Sequence, residues 1–275
     1  MRLTVLGSGS TGNAVLLTAG GTRVLVDAGL SARETVRRLA LMGEDVARLD
    51  GIVITHEHSD HAGGLRVLLG SAPCPVFITG LTHDAYIRER SSKTGQDEPR
   101  RRADALAARA VEITTGQDFR IGAIDFHPFS LPHDAADNIG LTATHAGVKV
   151  ATLMDFGHIN NLITQHLRGC AAIALESNHS RDMLRACAVY SWDLKQRILS
   201  RTGHISNEDL ADWLRDSFDG TARHIILTHL SQRANNPYVA DITAKMALQE
   251  RAPLFPAETE IILSHPKEPT PWLEL

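Results

Sequence analysis

Cysteine is scarce in this chain. Cys74, Cys170 and Cys187 are the only three among 275 residues, and no two form a C-x-x-C pair. Three widely spaced thiols make a poor disulfide framework and fit a reducing cytoplasm. Long apolar runs are missing too. None approaches the ~18 residues of a membrane-spanning helix, so no membrane partner is expected. Met1-Arg2-Leu3-Thr4-Val5-Leu6-Gly7 reads as a strand entering a glycine loop and lacks the apolar stretch of a signal peptide. Basic excess is absent. Lys and Arg number 28 against 32 Asp and Glu, a net charge of −4. That excludes a globally basic nucleic-acid coat but leaves room for a local patch. The sequence shows no low-complexity stretch and no repeat, and nothing in it sets an oligomeric state.

What is present is ordinary globular material, 43% hydrophobic and 22% charged, enough for one large domain or two small ones. Within it lies an unusual cluster, Thr55-His56-Glu57-His58-Ser59-Asp60-His61. It follows Gly51-Ile52-Val53-Ile54, which reads as a short buried strand. A strand end can aim His56, His58, Asp60 and His61 into one cavity. The His-Glu-x-x-His spacing of helical zinc proteases is absent. A compact loop serving two adjacent metals fits instead, and imidazole with carboxylate suits Zn, Mn or Fe.

Gly7-Ser8-Gly9-Ser10-Thr11-Gly12 matches a dinucleotide-binding fingerprint, but that motif needs a helix next. Here two β-rich runs, Ala14–Thr18 and Arg23–Asp27, surround a Gly20-Gly21 turn and predict a hairpin. A helix is expected over 31–42, capped by Ser31 with Glu34 and stopped at Gly43. Further helices are expected at 63–69, 159–168, 183–216 and 239–250. Strands are expected at 75–79, 119–126, 139–144, 148–154, 171–175, 224–228 and 260–263. The charged segment 88–104, with Arg100-Arg101-Arg102, reads as a solvated insertion, or else as an arm touching a polyanion. The order suggests an α+β, four-layer αββα sandwich forming one domain over 1–275, with halves of about 1–155 and 156–275.

The motif at 56–61 resembles the His-x-His-x-Asp-His signature of the metallo-β-lactamase superfamily. With that frame, His133 in Leu131-Pro132-His133-Asp134 becomes the third histidine of the His56/His58 metal. Asp155 and His229 each end an apolar run, where an unpaired carboxylate or imidazole is costly to bury. His229 would complete a second metal with Asp60 and His61, and Asp155 would lie between the two ions. Asp27 is expected to hydrogen-bond the ligand loop from behind.

The likeness narrows with Gly7–Asn13, Val26-Asp27-Ala28-Gly29, Leu175-Glu176-Ser177-Asn178-His179, Gly203-His204-Ile205-Ser206-Asn207 and Leu227-Thr228-His229-Leu230-Ser231. Together they resemble the YycJ/WalJ-type branch, which is similar to tRNase Z and cyclic-phosphate phosphodiesterases. The resemblance implies a metal-dependent phosphodiesterase, in particular a 5′→3′ double-strand DNA exonuclease with DNA as its partner. It implies that His204 faces the scissile phosphate, and that Glu176 and His179 orient His204 or a ligand. The catalytic set is then His204, Asp60 and Glu176. Two positions depart from the family pattern: Ser180 stands for an Asp, and Phe156 for a Thr. Two other functions stay open: a hydrolase of a small thioester, lactone or cyclic phosphodiester, and a non-catalytic, metal-stabilised nucleic-acid-binding protein. His83, His127, His145, His158, His166, His224 and His265 match no motif.

Overall fold

The computed structural model describes residues 1–88, 97–251 and 258–275. Most of its strands are buried on both faces, because each sheet is covered once by the other sheet and once by helices. The first sheet contains β1 (Arg2–Gly7), β2 (Ala14–Ala19), β3 (Thr22–Val26), β4 (Gly51–Val53), β5 (Val76–Thr79) and β6 (Ala110–Ile113). The second contains β7 (Phe119–Ile121), β8 (Ile124–Ser130), β9 (Ile139–His145), β10 (Val148–Leu153), β11 (Ala172–Glu176), β12 (His224–Thr228) and β13 (Glu260–Leu263). β14 (Leu273–Glu274) returns to pair antiparallel with β1.

Side-chain alternation sorts the apolar residues between layers. In β11, Ala172 and Ala174 join Val15, Val26 and Phe126 in the core between the sheets. Ile173 and Leu175 point the other way, into a cluster with the helices. The first sheet is covered by α1 (Ala32–Leu41), α2 (Ser59–Ala62), α3 (Leu65–Leu68), α4 (Gly80–Arg88) and α5 (Glu98–Leu106). Then follow α6 (Asn161–Leu167), α7 (Arg181–Ala186), α8 (Trp192–Leu199), α9 (Asn207–Asp216) and α10 (Pro237–Glu250). Of these, α6, α9 and α10 cover the second sheet through Ile163, Leu167, Leu210, Trp213 and the alanine stripe Ala240, Ala244, Ala247. The result is the expected four-layer αββα sandwich.

Several expectations shift. The sheets change over between Ile113 and Phe119, well ahead of residue 155. The run 119–126 is two strands turning at Gly122, which has φ +53°. The helix expected at 63–69 is preceded by the single turn α2, with Gly63-Gly64 between it and α3. Ser31 caps α1 by accepting from Glu34 N, but the Glu34 carboxylate turns to Arg37 at 2.9 Å instead of closing a capping box. The arginine run at 100–102 does not form one basic face. Arg102 is buried over the Tyr86 ring and donates to Tyr86 O, tying α5 to α4. Part of that segment, 91–95 included, lies outside the described residues.

Topology also gathers the polar residues. β3, β4, β5 and β6 run parallel, as do β10, β11, β12 and β13. The carboxyl ends of parallel strands share one edge of a sheet, where open α/β sheets carry their ligands. The loop at 55–61 follows β4, Asp155 follows β10, Glu176 ends β11 and His229 follows β12.

Candidate metal centre

Three strand ends carry the same backbone device. Asp27 after β3, Asp155 after β10 and His229 after β12 have φ of 64°, 58° and 52°. This conformation breaks the extended run at the strand end. The 55–61 loop is held from behind. Asp27 Oδ1 accepts from Thr55 N at 2.9 Å, and Asp27 Oδ2 accepts from His61 Nδ1 at 2.7 Å. Thr55 Oγ1 lies 3.1 Å from His56 Nδ1. Both rings are thereby fixed at Nδ1, leaving Nε2 to face the centre. This is the role expected of Asp27.

Gly29 explains itself by contact. A side chain there would overlap the Asp60 carbonyl, because the 9–13 loop and the Ala28-Gly29 turn lie directly against the motif. Asn13 N donates to Asp60 O at 2.7 Å, and Asn13 Nδ2 lies 2.9 Å from His61 Nε2. Ser8 Oγ accepts from His229 N at 2.8 Å and so joins the first loop to the last. Neither Ser8 nor Asn13 was singled out in the sequence beyond belonging to the glycine loop.

Asp155 is the hub. Its Oδ2 lies 3.4 Å from His56 Nε2, 3.3 Å from His61 Nε2 and 3.6 Å from His133 Nε2. His58 Nδ1 lies 3.3 Å from His133 Nε2. Ligand atoms ~2.0–2.2 Å from a tetrahedral ion stand roughly 3.3–3.6 Å apart, so His56, His58, His133 and Asp155 match the edges of such a site. His56 Nε2 is buried without a hydrogen bond, as an atom awaiting a cation would be. A second group gathers Asp60, His61 and Asp155, and a third gathers Asp155, Glu176, His204 and His229. His229 adjoins the second group through Nε2, 3.4 Å from Asp60 Oδ2. Its Nδ1 faces Asp155 Oδ1 at 2.6 Å and Glu176 Oε1 at 2.7 Å.

The electrostatics show the same demand for positive charge. Burial alone would keep His61 and His229 neutral, but the carboxylates of Asp27 and Asp155 raise His61, and Asp155 with Asp60 and Glu176 raises His229. Burial would raise Asp155, yet His229 and His61 hold it well below the usual carboxylate range. A divalent ion bound here would replace those protons.

Glu176 and His204 form a second constellation. Glu176 is fully buried, and its Oε1 accepts from both His204 Nδ1 at 2.8 Å and His229 Nδ1. Its Oε2 accepts from Phe156 N. Burial would raise the Glu176 pKa, but the His204 charge and hydrogen bonds outweigh it and hold the group at about 2. In turn burial opposes the charge on His204, and Glu176 raises it above the usual imidazole value. The His204 side chain is one-fifth exposed (20%) and borders a cavity. Gly203 permits this, since a side chain there would overlap the Arg197 and Ile198 carbonyls at the end of α8.

The two departures leave the centre intact. Phe156 buries its ring in the helix-covered core and offers only its N–H, and Ser180 sits at the start of α7. His179 belongs to neither metal group. It is 1% exposed and neither ring nitrogen has a partner; burial pushes its pKa down to about 4. The unfolded chain therefore takes up a proton near pH 6.5 that the folded chain refuses until about 4. Stability should fall as pH drops through that window, by on the order of 3 kcal/mol from this residue. His179→Phe should flatten that slope in urea unfolding at about pH 7 and about pH 4.5. Equal acid sensitivity in both proteins would show that His179 does not cause it.

Comparison with known proteins identifies relatives of the whole chain. A family model described as a beta-lactamase superfamily domain matches residues 22–230. Exodeoxyribonuclease YycJ of Bacillus anthracis is 32% identical over 270 residues, covering 98% of this chain and 97% of its own. Exodeoxyribonuclease WalJ of Streptococcus pneumoniae is 30% identical over 274 residues, covering 100% and 98%. Among solved structures, zinc-bound PqqB from Methylobacterium extorquens superposes with a TM-score of 0.71 at 14% identity, covering 100% of both chains.

Proposed function

The chain belongs to the metallo-β-lactamase superfamily, in the family of YycJ and WalJ, and from that premise we propose that it is a phosphodiesterase that removes nucleotides from duplex DNA in the 5′→3′ direction. As a member it is a metal-dependent hydrolase acting on ester bonds. Three buried, unpaired cysteines fit work in the cytoplasm. Among the described residues no helix is long and apolar enough to cross a membrane.

The observation that carries the reading is His204. It sits at the rim of the histidine–aspartate cluster, open to the cavity, and a buried carboxylate at its Nδ1 favours its protonated form. A protonated imidazole there suits an alkoxide leaving group, which needs a proton as its bond to phosphorus breaks. His56, His58 and His133 would hold one ion, Asp60, His61 and His229 a second, with Asp155 between them. Such ions, Zn or Mn with Fe as a further option, supply an acidified water and neutralise phosphate oxygens. His204 donates its proton to the departing oxygen, and Glu176 holds the ring in line through Nδ1. Asp60, whose Oδ2 lies 3.4 Å from His229 Nε2, would share the second ion with that imidazole.

The test is incubation of metal-analysed protein with end-labelled duplex DNA in Mn²⁺ or Zn²⁺. Stepwise loss from the 5′ end is the expected result. No cleavage of DNA by fully loaded protein would sink the exonuclease reading and direct attention to RNA, a small phosphodiester or a thioester.

A further inference from the structure

Beside His204 and His229 opens a cavity of about 170 Å³. Its lining includes Leu194, Arg197 and Ile198 of α8, together with Tyr190 and Leu230. α8 buries none of its residues, so it lies over the mouth of the centre without entering the core. The Tyr190 hydroxyl lies 3.3 Å from Ser231 Oγ. Arg197 pairs with Asp134, the neighbour of His133. The Arg197 side chain is 57% exposed and that of Asp134 33%, and a pair with this much exposure contributes little to stability.

Size decides what can enter. Pockets that bury a whole small substrate measure ~300–1,000 Å³. This one holds a single ring-sized piece of something larger. Leu194, Ile198, Leu230 and the Tyr190 ring give the mixed lining an apolar surface that suits a flat, weakly polar group. The cationic Arg197 at the wall suits an attached phosphate. Building on the phosphodiesterase reading above, we propose that the cavity takes one unpaired nucleobase next to the scissile phosphate, stacked on Tyr190, while Arg197 leaves Asp134 for the adjoining phosphate. A base still paired in a duplex cannot enter, so the terminal pair must open first.

Binding tests this without relying on turnover. Metal-loaded protein is titrated with thymidine 5′-monophosphate and with deoxyribose 5-phosphate. The nucleotide should bind about tenfold or more tightly than the sugar phosphate, the increment expected of one stacked base. Tyr190→Ala and the cavity-filling Ile198→Trp should erase that difference, and Tyr190→Phe should keep it, with unfolding temperatures reporting that each variant is folded. On DNA, the wild type should release nucleotides faster from a mismatched 5′ end than from a paired one, and Tyr190→Ala should lose that preference through KM. Equal affinity for nucleotide and sugar phosphate would overturn the inference whether or not DNA is cut. A base-dependent affinity without any DNA cleavage would uphold the cavity's role and overturn the exonuclease reading instead.

Discussion

Asp155→Ala should abolish turnover, by at least about a thousandfold, and strip metal from the protein in the same step. The reason is geometric. Asp155 Oδ2 faces His56, His61 and His133, and Oδ1 faces His229 at 2.6 Å and His204 at 3.7 Å. No other carboxylate among the described residues touches both groups of candidate ligands. Without it the two groups lose their shared anion, and a divalent ion in either would face a poorer ligand set. The check is metal content per chain by plasma emission, beside the rate on bis-p-nitrophenyl phosphate. Asp155→Asn, which keeps the shape but not the charge, guards against a variant that fails for want of folding. Full turnover in Asp155→Ala would rule out the mechanism.

The second large effect separates metal binding from proton transfer. His204→Ala should lose about 10²–10⁴-fold in kcat and keep its metal. His204 stands outside the set of His56, His58, His133 and Asp155 and clusters instead with Asp155, Glu176 and His229, where its Nδ1 is already engaged by Glu176. The loss should be large on DNA, whose leaving alkoxide needs a proton. It should be much smaller on bis-p-nitrophenyl phosphate, whose phenolate leaves without one. Equal losses on both substrates would remove the general-acid role. Loss of metal together with rate would make His204 a ligand.

The parts of this molecule that were legible in its sequence share a physical cause. His224–Thr228 was legible to the residue because a strand buried on both faces is a continuous apolar run with polar ends, and Glu260–Leu263 because its apolar run survives although it is a partly exposed edge strand. The 55–61 cluster was legible because no packing role calls for three imidazoles in six residues. Asp27 was legible in kind, from an acid ending an apolar strand. β6 escaped because Ala110, Val111 and Glu112 lie exposed at an edge and carry no burial pattern. The turn at Gly122 escaped because Ile121 and Ile124 on either side are both buried, which reads as one run. The cavity beneath α8 left no trace at all. Tyr190 and Arg197 are ordinary solvent-facing residue types, and only the docking of Gly203 against the end of α8 brings them beside His204. His179 was undecidable because its chemistry suggests a site while its surroundings make it a neutral core ring.

The left-handed turns at Asp27, Asp155 and His229 carry an evolutionary consequence. A residue with a side chain is costly in that conformation, roughly 1–3 kcal/mol each, against the ~5–15 kcal/mol that keeps a domain folded. Glycine would relax all three positions. A lineage selected for folding alone would drift toward glycine there and shed an orienting acid, the central carboxylate and the last histidine. In this fold the candidate centre would therefore be the first thing that relaxed selection erodes, while the sandwich around it grew more stable.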